Sequence, residues 1–394
     1  MGRVLVSLTS AAFVAAAPST AAAQPAIRGV ELKPVVFRDL PAWREDDQTA
    51  AFRAFARSCS AIVEDAPALR TASSMLDGLA EACRAAVAMP EPDISAARTF
   101  FESRFTPYEV SAGTGRGFLT GYYEPEFPGS LKPTADFPVP LLARPDDLVT
   151  LEPGDVVPGA PPGLAAARRT DSGLEPYPDR SAIEDGAISD RTRPVAFVRD
   201  AVDAFIIQVQ GSARLKLPDG RAVRLAYAGK NGLPYTSVAR LLVQKLGIPA
   251  AEMTADALTG WLRRHPDQAR DLLRQNRSYV FFRIADELDP AEGPIGAAGV
   301  PVTAGRTIAI DRSLWGYGLP VWLEGDLPEP GGGSRPLRRL TIAQDTGSAI
   351  VGPARADLFF GSGADAGLRA GLLRNEVRFV VLWPKLEPAS AAAP

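Results

Sequence analysis

The stretch AQDTGSAIVGPARADLFFGSG, residues 343–363, decides how the rest of the chain is read. Asp345 closes a run of alternating character, TIAQD, and Asp311 closes a similar run, TIAID. An aspartate at a strand end accepts readily from free N–H groups of the following turn. Thr346-Gly347 offers such donors to Asp345, and bonds of that kind lower a carboxyl pKa. Asp311, followed by Arg312, has the same structural reading. Asp357 differs, because Leu358, Phe359 and Phe360 follow it directly. A carboxyl covered by such side chains is desolvated, and its pKa rises. Arg355, two positions back, opposes that rise if it points the same way. A carboxyl that holds its proton near neutral pH is the general acid that glycosidic cleavage needs.

Outward from this stretch, RTIAID, LPVWLEG, LRRLTIAQD and VRFVVLWPK are short strands separated by Gly/Pro turns, with one short helix over 363–373. That spacing predicts a small closed barrel. Residues 46–105 read as helical: Phe52, Phe55, Cys59 and Ile62 recur at helical spacing, as do Ile94, Ala97, Phe101 and Phe105, with Asp93 as a cap. In GFLTGYYEPEFPGS (117–130) Tyr122 and Tyr123 adjoin Glu124. Residues 130–195 read as largely irregular with a few short strands, and 153–175 as a mobile surface loop. From 204 the period becomes two, predicting a strand with Phe205, Ile207 and Val209 on one face and Ile206, Gln208 and Gln210 on the other. Gly211 and Ser212 follow, and Pro218-Asp219-Gly220 turns a hairpin. AGKNGLPY (228–235) is a turn carrying Lys230, Asn231 and Tyr235. Helical pattern fills 236–275, and YVFFRI (279–284) is a strand.

The net charge of −3 over 394 residues argues against nucleic-acid binding. Residues 1–23 read as a secretory signal: Arg3, the apolar run Val4–Ala17, then Ala21-Ala22-Ala23. That run is shorter than the ~20 residues a membrane span needs. No Cys stands near the cleavage site, so the mature chain is expected to be soluble in the periplasm. Cys59 and Cys83, in an exported chain, are candidates for a disulfide. Two cysteines and the lone His265 make a zinc site an unattractive reading. His265 precedes Pro266 at a helix junction and no G-x-S-x-G is present, so a histidine-based triad is disfavoured.

The remaining polar set suits a sugar polymer. Tyr122, Tyr123 and Tyr235 offer flat rings, Gln208, Gln210 and Asn231 offer amides, and Lys230 offers a cation. Each also has a packing reading. Their clustering with glycines favours binding.

Several blocks together resemble one family: TGYYEPEF (120–127), DAFIIQVQGSARLKLPDG (203–220), NRSYVFFR (276–283), RTIAIDRSLWGYGLPVWL (306–323) and the stretch at 343–363. They look like the membrane-bound lytic murein transglycosylase A family, MltA, over roughly residues 100–385. The C-terminal part resembles the 3D domain, whose three aspartates would be Asp311, Asp345 and Asp357. The resemblance implies a mainly β fold with a helical N-terminal part. A double-psi β-barrel domain (24–120 and 283–385) would be interrupted by a second β-barrel domain (121–282), with a glycan groove between them and a disordered tail at 386–394. It implies non-hydrolytic cleavage of the β-1,4 bond between N-acetylmuramic acid and N-acetylglucosamine, leaving 1,6-anhydromuramic acid ends. Asp357 would act as acid and then base. Asp345, with Thr346, would orient the C6 hydroxyl or stabilise the cation. Tyr122, Tyr123, Glu124, Gln208, Gln210, Gly211, Ser212, Lys230, Asn231, Tyr235, Asp311 and Phe359 are the remaining substrate-binding candidates. The partner is the peptidoglycan glycan strand, and no metal or organic cofactor is implied. Family members are often lipid-anchored through an N-terminal Cys that this chain lacks. A muramidase-type hydrolase and a non-catalytic glycan-binding protein are the alternative readings.

Overall fold

The computed structural model describes residues 26–386, apart from 28, 112–114, 152–154, 161–163, 286–288 and 290–291. The expected signal segment at 1–23 and the tail beyond 386 lie outside the described residues.

In the largest sheet the strand order is β1 (Glu31–Pro34), β2 (Phe105–Ser111), β17 (Arg374–Pro384), β14 (Pro320–Pro328), β15 (Ser334–Asp345), β13 (Thr307–Ile310), β16 (Arg355–Ser362) and β3 (Gly117–Glu124). β17 also pairs with β3, so the strands from β17 round to β3 close into a six-stranded barrel. Alternate residues of these strands fill its interior, among them Leu119, Ile308, Val321, Leu358 and Phe379. The barrel's other side is covered by α1 (Gln48–Val63), α2 (Leu79–Ala88) and α3 (Ile94–Arg104). There Phe52, Phe55 and Phe101 pack with Trp322 and Leu340. Asp93 caps α3, accepting from the Ala96 N–H at 2.8 Å. Cys59 on α1 and Cys83 on α2 are disulfide-bonded.

β3 ends at Glu124, and the chain enters a second sheet almost at once. Its order is β12 (Val280–Ile284), β11 (Ala222–Lys230), β10 (Ala213–Lys216), β4 (Glu126–Ser130), β9 (Pro194–Val198) and β5 (Val139–Leu142). A parallel bridge between Ala143 and Phe282 joins its two edges. Leu141, Ala196, Leu215 and Leu225 fill the inside. The helices α4 (Arg180–Glu184), α5 (Ala201–Gln210), α6 (Val238–Leu246), α7 (Ala255–Arg264) and α8 (Pro266–Arg274) belong to this half, and α9 (Ala364–Leu372) returns to the first barrel. Among the described residues no helix is long and apolar enough to cross a membrane.

Two expectations are corrected here. The run at 204–210 is helix α5, not a strand. Asp200 caps it by accepting from the Asp203 N–H at 2.8 Å, and Gly211 ends it at φ +81°. Phe205, Ile207 and Gln208 are all buried. A short apolar run buried on several sides has no polar face, so alternation and helical period cannot be told apart within it. The segment 153–175, read as a mobile loop, contributes β7 (Ala166–Thr170) and β8 (Gly173–Glu175), which pair with each other, β7 pairing also with β6 (Leu148–Thr150). Ala166 and Ala167 are buried there against the second half of the molecule.

Candidate active site

Strand alternation aims Asp357 away from the barrel interior. Ala356 and Leu358 on β16 face the core, while Asp357 and Phe359 face the opposite side. Leu358 and Phe360 therefore do not share Asp357's face, and the shielding expected of three side chains comes from Phe359 alone among them. Phe359 is buried, with its ring 5.1 Å from that of Tyr122. Oδ1 of Asp357 accepts from the Thr120 hydroxyl at 2.6 Å. The hydroxyl oxygen in turn accepts from Arg355 Nη2 at 2.8 Å, so the Thr120 hydrogen is committed to Asp357. Among the described residues Oδ2 has no partner. Burial pushes the Asp357 carboxyl up to about 6. The Thr120 bond and the Arg355 charge pull it down, and the Asp345 charge pushes it further up.

Asp345 reaches the same face through a bulge. β13 and β15 run in register from Thr307–Ile342 to Ile308–Ala343, then slip by one residue so that Ala309 faces Asp345. The extra residue, Gln344, is fully buried, and its Nε2 donates to Ala54 O and Ser58 Oγ on α1, each at 2.9 Å. One inserted residue reverses the parity of the strand end and re-aims the next side chain. Oδ1 of Asp345 accepts from the N–H groups of Ala297 at 3.0 Å and Thr346 at 2.8 Å, and Oδ2 accepts from the Tyr122 hydroxyl at 2.9 Å. The turn donors read from sequence are present. Burial nonetheless outweighs them, and the pKa of Asp345 is raised, contrary to the lowering expected. Three donors occupy most of the acceptor sites of Asp345, two on Oδ1 and one on Oδ2, whereas Asp357 accepts from a single donor.

The two carboxyls open on a cleft of about 380 Å³ between the barrels. Tyr122, Lys230, Tyr235 and Thr346 line it, as do Gly211 and Ser212. Gln208 and Gln210 line it too, but as members of a helix they point apart rather than side by side. Gln210 Oε1 accepts from the Tyr123 N–H at 3.3 Å, and Gln208 is 5% exposed with its Oε1 unpaired.

Five candidates stand outside the cleft lining, one of them Phe359, which is buried against Tyr122. Glu124 is fully buried beneath it, accepting from Arg214, Arg224 and Ser362. The Asn231 side chain is spent on Pro178 O, Arg277 O and the Tyr279 N–H. The Tyr123 ring packs over Gly367 of α9. Asp311 accepts from Ser313 and from the Gly352 N–H, the structural role its turn suggested.

Sequence reasoning passed over Thr120, Arg70 and the Ala297 N–H. None has a local signal: Thr120 meets Asp357 only because β3 and β16 pair in parallel, at a sequence separation of 237.

A closed six-stranded barrel facing a second barrel across a cleft, with a desolvated aspartate on its wall, defines a two-barrel protein of the 3D-domain class. The chain belongs to the membrane-bound lytic murein transglycosylase A (MltA) family. The MltA specific insert domain matches residues 118–283 and the 3D domain matches residues 306–383. The fold superposes on a membrane-bound lytic murein transglycosylase from Agrobacterium tumefaciens with a TM-score of 0.79 and 37% identity, covering 90% of this chain and 97% of that one. It superposes on MltA from Neisseria gonorrhoeae with a TM-score of 0.74 and 29% identity, covering 94% and 97%. Membrane-bound lytic murein transglycosylase A of Escherichia coli K12 is 35% identical over 210 residues, an alignment spanning 52% of this chain and 56% of that protein.

Proposed function

We propose that the protein is a peptidoglycan lytic transglycosylase in which Asp357 is the single titrating catalytic group. The observation that carries this reading is a cleft carboxyl raised to about 6, with one oxygen held by Thr120 and the other unpartnered toward the cleft. Protonated Asp357 gives its proton to the oxygen joining muramoyl C1 to the next sugar, and the C1–O bond breaks. Positive charge develops at C1, beside the carboxylate now formed. Asp357 then takes the proton of the C6 hydroxyl as O6 bonds to C1, closing the 1,6-anhydro ring. Asp357 ends protonated and no water is consumed, so one carboxyl suffices where a hydrolase uses two. Asp345, held by three donors, supplies negative charge on the same face and a site for the C6 hydroxyl. The inserted domain (121–282) and the flanking barrel domain would each hold one side of the strand. The chain would work in the periplasm after export.

Mass spectrometry of muropeptides released from purified murein sacculi tests the reading. Anhydro ends, lighter by one water than reducing ends, are the expected product. Reducing ends would mean hydrolysis. A wild-type protein that binds sacculi without releasing soluble fragments would mean a binding module.

A further inference from the structure

The cleft wall beside Asp345 carries two cations, Arg70 and Lys230, that make no ion pair among the described residues. Arg70 reaches it from the segment between α1 and α2 and Lys230 from the end of β11, and the charge of Arg312, on the turn after β13 and outside the lining, acts on Lys230. Among the described residues the Arg70 guanidinium has no hydrogen-bond or ion-pair partner, while its backbone N–H donates to Ala297 O at 3.3 Å. Arg312 donates to the Thr71 carbonyl, a neutral acceptor, and its own carbonyl accepts from the Ser73 N–H at 2.7 Å. Lys230 Nζ donates across the cleft to the Ser348 hydroxyl at 3.0 Å, again a neutral acceptor. Burial, with Arg70 and Arg312 beside it, lowers the Lys230 pKa to about 7. Asp345, whose carboxyl feels the Arg70 charge, accepts from Ala297, Thr346 and Tyr122 and not from these cations. Like charges gathered in a partly desolvated wall repel one another unless an anion joins them. Here the backbone holds them in place: the peptide groups of Ala297 bond both Arg70 and Asp345, and the disulfide clips the base of the Arg70 segment.

We propose that Arg70 and Lys230, with the charge of Arg312 adding to theirs, form an anion subsite for a carboxylate carried by the lactyl substituent of a muramoyl residue. This rests on the transglycosylase reading and adds a requirement to it: the subsite separates muramoyl strands from neutral chitin-like strands that lack the carboxylate. Two sources present this chemistry. One is the free lactyl carboxylate of a strand stripped of peptide. The other is a carboxylate of the stem peptide itself.

The experiment measures binding, so that it does not depend on turnover. Soluble glycan strands are prepared in two pairs: stripped strands with lactyl carboxylates free or converted to methylamides, and stem-bearing strands with peptide carboxylates free or converted to methylamides. Calorimetric Kd values at low temperature are compared in the Asp357→Asn background with and without Arg70→Met, Arg70→Lys or Lys230→Met. The expected result is a preference of about ten- to hundredfold for the free carboxylate in one pair, typical of a charge-assisted hydrogen bond. Arg70→Met and Lys230→Met bring that ratio toward one, and Arg70→Lys recovers part of it. The pair showing the preference names the source. Equal affinity for free and amidated strands in both pairs overturns the proposal, as does a preference that survives Arg70→Met and Lys230→Met unchanged. Release of anhydro ends by the wild type is scored separately, so failure of the transglycosylase reading would appear there and not in these ratios.

Discussion

Asp345 and Asp357 are both in register with Ala309, one through the parallel β13–β15 pair and the other through the antiparallel β13–β16 pair. Residues in register on neighbouring strands share a face, so the two carboxyls flank a single methyl group. Two strand spacings put their backbones about 10 Å apart. Ala309 is 4% exposed and lines the cleft, so its smallness keeps the space between the carboxyls open. Ala309→Leu is expected to fill that space. Anhydromuropeptide release should fall about 10- to 100-fold through substrate displacement, with the thermal midpoint within a few degrees of wild type. Unimpaired release by a folded Leu variant would mean that no sugar passes between the aspartates.

Asp357→Asn should abolish the chemistry and stabilise the fold at neutral pH. General acid–base groups contribute about 10²- to 10⁴-fold, so residual release should lie that far below wild type. In the unfolded chain this carboxyl titrates near its ordinary value of about 3.9. In the folded chain it titrates at about 6. The folded state therefore holds the proton more tightly, and the stability this contributes is present below about pH 4 and lost as pH rises through 6. The Asn variant does not pay that cost. It should exceed wild type by on the order of 1–3 kcal/mol above pH 6 and match it below pH 4. Denaturant melts at pH 4 and pH 7.5 check both limbs.

The pH dependence of turnover follows from the same group. The first step needs protonated Asp357, so kcat/KM should fall as pH rises through about 6. Thr120 donates to the ionised form and holds the pKa down. Thr120→Val should move the falling limb to higher pH while lowering the plateau below pH 5 by less than about tenfold. A limb that stays in place would mean that Asp357 does not set it.

Glu124, at the end of β3, ties the first barrel to Arg214 and Arg224 of the second. Its carboxylate meets Arg214 and Arg224 at 2.8 Å each, and both guanidiniums also donate to Glu292 O. Glu124→Gln strands two guanidiniums, one of them buried, and should destabilise by about 3–5 kcal/mol in denaturant melts. A loss under 1 kcal/mol would show that the pair is solvated.

Cys59 and Cys83 close a loop across a sequence separation of 24, and that loop carries Arg70. The paired Cys59→Ala, Cys83→Ala variant should lose about 3 kcal/mol on the chain-entropy model. Reduction of the wild type should reproduce the loss. Unequal losses would point to a packing effect of the alanines.

Much of the first barrel was legible because its strands carry clean alternation between Gly/Pro turns, and the helical lead-in because its phenylalanines keep a single face. Asp357 stood out for a local reason that proved only partly right. Its hydrophobic neighbours are adjacent in sequence, but strand pleating turns Leu358 inward, and the desolvation comes from Phe359 and the facing wall of the cleft. Asp345 was legible as a turn aspartate, but the bulge at Gln344 that aims it was not. Nor was α5, whose apolar residues are enclosed on several sides and show no period to read.

The amino-acid order by itself determined the strands of the first barrel and the helical lead-in, where turns fall, and which residue types could carry acid–base chemistry, because those depend on neighbours a few positions away. Only the tertiary structure decided that Thr120, Ala309, Asp345 and Asp357 meet, that Glu124 lies beneath the cleft, and that Arg70 lines it with no ion pair among the described residues. Those relations join strands and loops tens to hundreds of residues apart, and burial, register and field strength exist only once the chain has closed upon itself.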